Sequence, residues 1–122
     1  MIFHIVSRSE WNLARTRGDY RPPSLEADGF IHCSTGAQLA ATADLFYRGQ
    51  RDLLVLRIDP ARLTSRLVFE APADAAEARP HARFPHVYGP LNLDAVIDAI
   101  EFPCAADGSF ELPAALADST QS

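Results

Sequence analysis

The chain has 122 residues, 48% of them hydrophobic and 22% charged, with a formal net charge of −5; these values fit one globular domain and exclude wholesale disorder. All eleven basic residues are arginine, which excludes a Schiff-base lysine, a lysine nucleophile and a P-loop lysine, and the acidic balance gives nonspecific nucleic-acid binding no help. No apolar run approaches the roughly 20 residues of a bilayer span, and Met1–Val6 has neither the basic start nor the small-residue cleavage site of a signal peptide, so the cytoplasm is the expected compartment.

In chain order, Ile2–Val6 reads as a buried strand with His4 on the face of Ile2 and Val6. Ser7 and Glu10 have capping-box spacing, which predicts a short helix carrying Trp11, Leu13 and Ala14 and ending near Gly18. Asp19–Ser24 contains consecutive prolines and reads as a stiff connector. One more helical turn fits Ser24–Asp28, before Gly29. Phe30–Cys33 is the second predicted strand. Thr35 and Gln38 repeat the capping-box spacing ahead of Leu39, Ala43, Phe46 and Tyr47, an amphipathic helix that Gly49 stops. Leu53–Ile58 is apolar enough for a central strand, Asp59-Pro60 starts a one-turn helix, and Leu67–Glu70 is a fourth strand. Ala71–Pro80, rich in alanine, acids and proline, reads as a mobile surface loop. Phe84–Gly89 is extended between prolines. Leu93–Phe102 fits a helix or a strand; the Asp107-Gly108 turn with Phe110 and Leu112 beyond it points to a strand and a terminal hairpin. The pattern is α+β, one domain over residues 1–116 with a polar tail at 117–122.

Chemistry concentrates on histidine. His81 lies beside the predicted loop and reads as solvated. His4 and His32 each stand inside an apolar strand, where a buried ring must find a partner. If their strands are neighbours in register, the rings lie about 5 Å apart and serve as donors to an anionic or hydroxyl-rich ligand, or as acceptors to a metal. Ser34 shares the face of His32 and precedes a helix N-terminus, where free N–H groups favour phosphate. Cys33 faces the other way, into the core, and with Cys104 is too sparse for a disulfide scaffold or a zinc knuckle. His86 and Tyr88 share one face of Phe84–Gly89. Glu70 closes an apolar strand, as a surface residue or a site carboxylate. No pair of histidines has local metal-ligand spacing.

Ile2-Phe3-His4-Ile5, Trp11, Tyr20-Arg21-Pro22-Pro23-Ser24-Leu25, Gly29-Phe30-Ile31-His32-Cys33-Ser34 and Phe84-Pro85-His86-Val87-Tyr88-Gly89-Pro90-Leu91 together resemble the bacterial domain of unknown function 952, from about Ile2 to Phe102. That family is grouped by fold with the ADP-ribosyltransferases. A more distant likeness joins His4, Ile31-His32-Cys33-Ser34 and Arg57-Ile58-Asp59-Pro60 to the NAD-using RNA 2′-phosphotransferases, whose arginines have no secure counterpart here. The resemblance implies a split, mixed sheet of ADP-ribosyltransferase type. Its cleft would hold extended NAD, with His4 at a ribose and His32, Ser34 and Tyr20 nearby. His86 and Tyr88 stand where those enzymes carry a glutamate, and Phe84–Gly89 has no acid to offset the positive charge of an oxocarbenium-like state. Glu70, on another strand, would have to reach in from the side. Three functions follow as expectations: an NAD-using enzyme of the ADP-ribosyl transfer type with His4, His32, His86 and Tyr88 as its catalytic set, a module that binds a nucleotide-like or other small ligand without turnover, and a metal-dependent hydrolase.

Overall fold

Five apolar or ring-bearing residues in a row, Ile2–Val6, need cover on both faces if they are to form a strand. In the computed structural model, which describes residues 1–72 and 82–116, they form β1 (Ile2–Ser7) and find that cover. Alternation sends Ile2 and Val6 into one core and Phe3 and Ile5 into a second. β4 (Leu53–Ile58), antiparallel to β1 with His4 opposite Leu56, divides its side chains the same way. β8 (Val96–Glu101) completes this sheet in the order β1-β4-β8. One face of β8 is wet, and its Asp98 takes both Arg57 Nε (3.1 Å) and an Arg57 terminal nitrogen (2.6 Å).

The first helix follows its capping signal. Ser7 Oγ accepts the Glu10 N–H at 3.2 Å and opens α1 (Arg8–Arg17), which buries Trp11 and Ala14 while Leu13 faces solvent. Gly18, at φ 104°, closes it by donating to the Ala14 carbonyl. That left-handed geometry is cheap only for glycine. The connector forms a two-residue strand, β2 (Asp19–Tyr20), before Pro23 starts α2 (Pro23–Asp28). After β3 (Ile31–His32), α3 (Leu39–Phe46) begins one turn later than its capping spacing suggests. Thr35 N–H donates to Gln38 Oε1 at 3.0 Å, so the two residues do pair, but around a turn that precedes the helix. Asp59 caps a single 3-10 turn, Pro60–Arg62.

A second sheet orders β3 against β6 (Phe84–Tyr88) and β6 against β5 (Arg66–Glu70), and a third pairs β2 with β7 (Leu91–Asn92). Every ladder among the described residues is antiparallel. The mixed sheet implied by the resemblance is therefore a set of split antiparallel ladders. Reciprocal 2.8 Å hydrogen bonds between Phe3 and Ser34 tie the first sheet to the second. Gly89 turns the chain between β6 and β7, and a side chain there would run into the Ser65 hydroxyl, which donates to the Pro90 carbonyl at 2.7 Å.

Two further expectations change. Leu93–Phe102 is a strand only from Val96, after a 3-10 turn at Leu93–Ala95. No terminal hairpin forms among the described residues: Asp107 accepts from Ser109 to close the turn, but Phe110 N–H goes to Asp44 Oδ1 at 2.7 Å and its ring packs on Phe102. A side-chain acceptor and an aromatic contact thus take the place of a ladder, in a segment bounded by Pro103 and Pro113. The loop expected at Ala71–Pro80 falls almost wholly outside the described residues, as do His81 and the tail at 117–122. No helix among the described residues is long and apolar enough to cross a membrane.

Candidate functional site

Between the first and second sheets lies a cleft of about 500 Å³, within the range of small-ligand sites. His4, Tyr20, His32, Ser34 and His86 all line it, with apolar neighbours such as Phe3, Val6 and Phe84. Cys33 lines it too, but burial pushes its thiol up to about 12. Among the described lining residues Glu10 is the only carboxylate, and there is no arginine.

His4 is buried, and both of its ring nitrogens are engaged. Nδ1 lies 2.6 Å from the His32 carbonyl, which can only accept, so Nδ1 carries the proton. Nε2 is then the acceptor for the Tyr20 hydroxyl at 2.7 Å. Burial lowers the His4 pKa to about 4, outweighing the His32 carbonyl that favours the charged form. His4 is therefore a neutral ring, and Tyr20, whose own pKa burial raises, is its donor. The two imidazoles expected side by side are His32 and His86 instead. β1 pairs with β4, whereas β3 pairs with β6 and sets His32 opposite His86, ring centroids 5.5 Å apart. His4 reaches β3 through the His32 carbonyl rather than through its ring.

One face of the second sheet carries the rest. Phe30 stacks on His86 (4.0 Å between centroids, planes 20° apart) and also touches His32 and Tyr88. His32, the more exposed ring, has Nε2 2.9 Å from Asp28 Oδ2. His86 is 2% exposed, and its Nδ1 lies 2.7 Å from Glu70 Oε1. The Tyr88 hydroxyl donates to that same oxygen, with Arg66 over the Tyr88 ring at 5.6 Å. The Tyr88 hydroxyl, then the His86 ring, hold the Glu70 carboxyl below the usual carboxylate range. Burial lowers the His86 pKa, opposed in part by Glu70. Glu70 thus reaches His86 and Tyr88 from the neighbouring strand without itself being among the described residues that line the cleft.

The remaining candidates are placed less simply. Ser34 is buried, its N–H is spent on the Phe3 carbonyl, and its hydroxyl faces Thr42 at 3.5 Å, so the free N–H groups expected there for phosphate are not available at Ser34 or Thr35. Tyr88 stands at the exposed end of β6. Among the described residues no group of three or more His, Cys, Asp or Glu side chains is arranged to hold a metal ion. Asp28 and Phe30 were not singled out from the sequence. The available signals were the two-residue period placing Phe30 on the face of His32, and the four-residue spacing from Asp28 to His32 across Gly29.

Fold and cleft together define a class, a small antiparallel α+β domain with a histidine-lined groove between split sheets. The chain belongs to the DUF952 family, described as a protein of unknown function, whose profile matches residues 5–99. It is similar to protein CC0527 from Caulobacter crescentus, whose crystal structure shares 34% identity over 99% of this chain and 98% of that one, at a TM-score of 0.79. A methionine double variant of CC0527 gives the same figures. The solution structure of CC0527 gives 36% identity, 96% and 93% coverage, and a TM-score of 0.75. No curated protein matches the chain.

Proposed function

We propose that the cleft binds a small, uncharged, hydroxyl-bearing ligand of nucleoside size. The observation that carries this reading is the convergence of His4, Tyr20, His32, Ser34 and His86, from both sides of the groove, on one largely apolar cavity. Such a lining buries an apolar body and fixes its orientation through a few polar groups. The ADP-ribosyltransferase-like assignment belongs to the same reading; a first-strand histidine facing the His32 segment across split sheets supports it. NAD suits the cleft by its ribose and nicotinamide and not by its diphosphate, because the described lining offers no arginine and one carboxylate, Glu10. Phosphates buried without a cationic or N–H partner are costly.

The test is thermal unfolding of the full chain with adenosine, ADP-ribose, NAD and Zn²⁺, each supplied separately. Adenosine is expected to raise the melting temperature, a ligand at 100 times its Kd adding about 2.7 kcal/mol of stability. ADP-ribose and NAD are expected to add no more than adenosine does. A markedly larger shift with ADP-ribose or NAD would replace the uncharged-ligand reading with a dinucleotide one, and a shift with Zn²⁺ alone would replace it with a metal site.

A further inference from the structure

We infer that Glu70 and His86 form a carboxylate–imidazole dyad whose Nε2 takes a proton from a hydroxyl group in the cleft, making the site catalytic and not merely receptive. The inference rests on the cleft being a ligand site, and adds a reaction to it. Four observations support it. Glu70 Oε1 lies 2.7 Å from His86 Nδ1, and a carboxylate oxygen only accepts, so Nδ1 carries the proton and the lone pair of the neutral ring is on Nε2. That nitrogen has no partner among the described residues, although His86 lines the cleft. The ring cannot swing away, because Phe30 stacks on its face and its strand is paired on both sides. Tyr88 holds Glu70 by the same oxygen, so the acid too is fixed. This is the arrangement of a general base and its orienting group.

The reaction class is transfer of a group to a hydroxyl oxygen, with ester hydrolysis as its simplest member. The O–H bond of water breaks and its proton passes to His86 Nε2 while the oxygen bonds to the acyl carbon. The bond from that carbon to the leaving oxygen then breaks, and the leaving group departs as an anion or takes the proton back from the imidazolium. Nothing is oxidised or reduced. Glu70 does not touch the reacting atoms; it is a positioning residue that stabilises the imidazolium. Among the described residues the charged or titratable groups around His86 are Glu70 and, beyond it, Tyr88 and Arg66 on the β5 and β6 side, with His32 and its partner Asp28 on the β3 side.

The full-length protein is incubated with p-nitrophenyl acetate and nitrophenolate is followed by absorbance across pH, for the wild type, His86→Gln and Glu70→Gln. The wild type is expected to exceed the buffer rate, and His86→Gln to lose about 100-fold or more of that excess. In Glu70→Gln the rate falls, and the rising limb of the pH profile moves to lower pH, because the carboxylate that favours the imidazolium is gone; a merely structural Glu70 would leave the limb in place. A wild type no faster than buffer, or a His86→Gln variant as fast as the wild type, overturns the dyad. Should His86→Gln fail to fold, ring nitrogen NMR of the wild type decides: an unprotonated Nε2 at neutral pH supports the dyad, and a protonated Nε2 overturns it. Adenosine binding without ester turnover removes the dyad and leaves the ligand site standing, whereas turnover without adenosine binding removes the nucleoside reading alone.

Discussion

Replacing Phe3 by alanine is expected to remove about 3–5 kcal/mol of folding stability, a large share of the roughly 5–15 kcal/mol a domain of this kind holds. Phe3 is fully buried in the second core, against a set that includes Leu39, Val55 and Phe102. Truncation removes the transfer energy of the ring and leaves a void in a region closed on several sides. The same residue's backbone makes both hydrogen bonds to Ser34 that join the two sheets, so a relaxed Phe3 also loosens the wall of the cleft. Urea denaturation measures the effect, with Leu13→Ala, whose parent side chain is 55% exposed, as the control expected to stay within about 0.5 kcal/mol. A Phe3→Ala midpoint equal to that of Leu13→Ala would show that the second core does not close over this ring.

Acid is expected to destabilise the protein through His4 across a defined window. The folded ring has a pKa of about 4, against 6.5 in its ordinary state. Above pH 6.5 the ring is neutral folded and unfolded, and its contribution is constant. As pH falls below 6.5 the unfolded chain takes up a proton that the folded chain refuses, so stability drops until about pH 4, where both forms are protonated. The whole loss is about 3 kcal/mol, at about 1.4 kcal/mol per pH unit. Denaturation midpoints of the wild type and His4→Gln, taken every half unit, isolate the term, since glutamine keeps a donor and an acceptor but does not titrate. Equal slopes for the two proteins between pH 6.5 and 4.5 would mean that His4 charges freely in the folded state.

Much of the secondary structure was legible because its signals are local. The apolar runs at Ile2–Val6 and Leu53–Ile58, the Ser7 cap, the Gly18 and Gly29 stops and the Asp59-Pro60 turn each depend on neighbouring residues, and each lies where expected. Strand partnership was not legible. Nothing near His32 tells that it will face His86, some fifty residues on, instead of His4. The terminal hairpin failed for the same reason: Asp107-Gly108 is a sound turn, but the acceptor for Phe110 N–H sits on α3. Glu70 was half legible. The two-residue period puts it on one face with Arg66, and only the register that sets Glu70 opposite Phe84 brings that face beside His86 and Tyr88. His4, Tyr20, His32, Ser34 and His86 were all named as candidates from the sequence and all line one cleft, while the hydrogen bonds that distinguish their roles came from tertiary structure.

The ladder order β1-β4-β8 also sets a timetable for folding. Residues 2–7 cannot close their sheet until 53–58 and then 96–101 are in place, and β2 waits for β7. Each closure spends loop entropy before any burial repays it, so refolding followed by stopped-flow fluorescence of Trp11 is expected in milliseconds to seconds, and not in the microseconds of a helical bundle. During synthesis the consequence is sharper. A ribosome adding about 5–20 residues each second releases β1 well ahead of β4, and β4 well ahead of β8. For most of that interval the apolar N-terminal segment has no finished sheet to join.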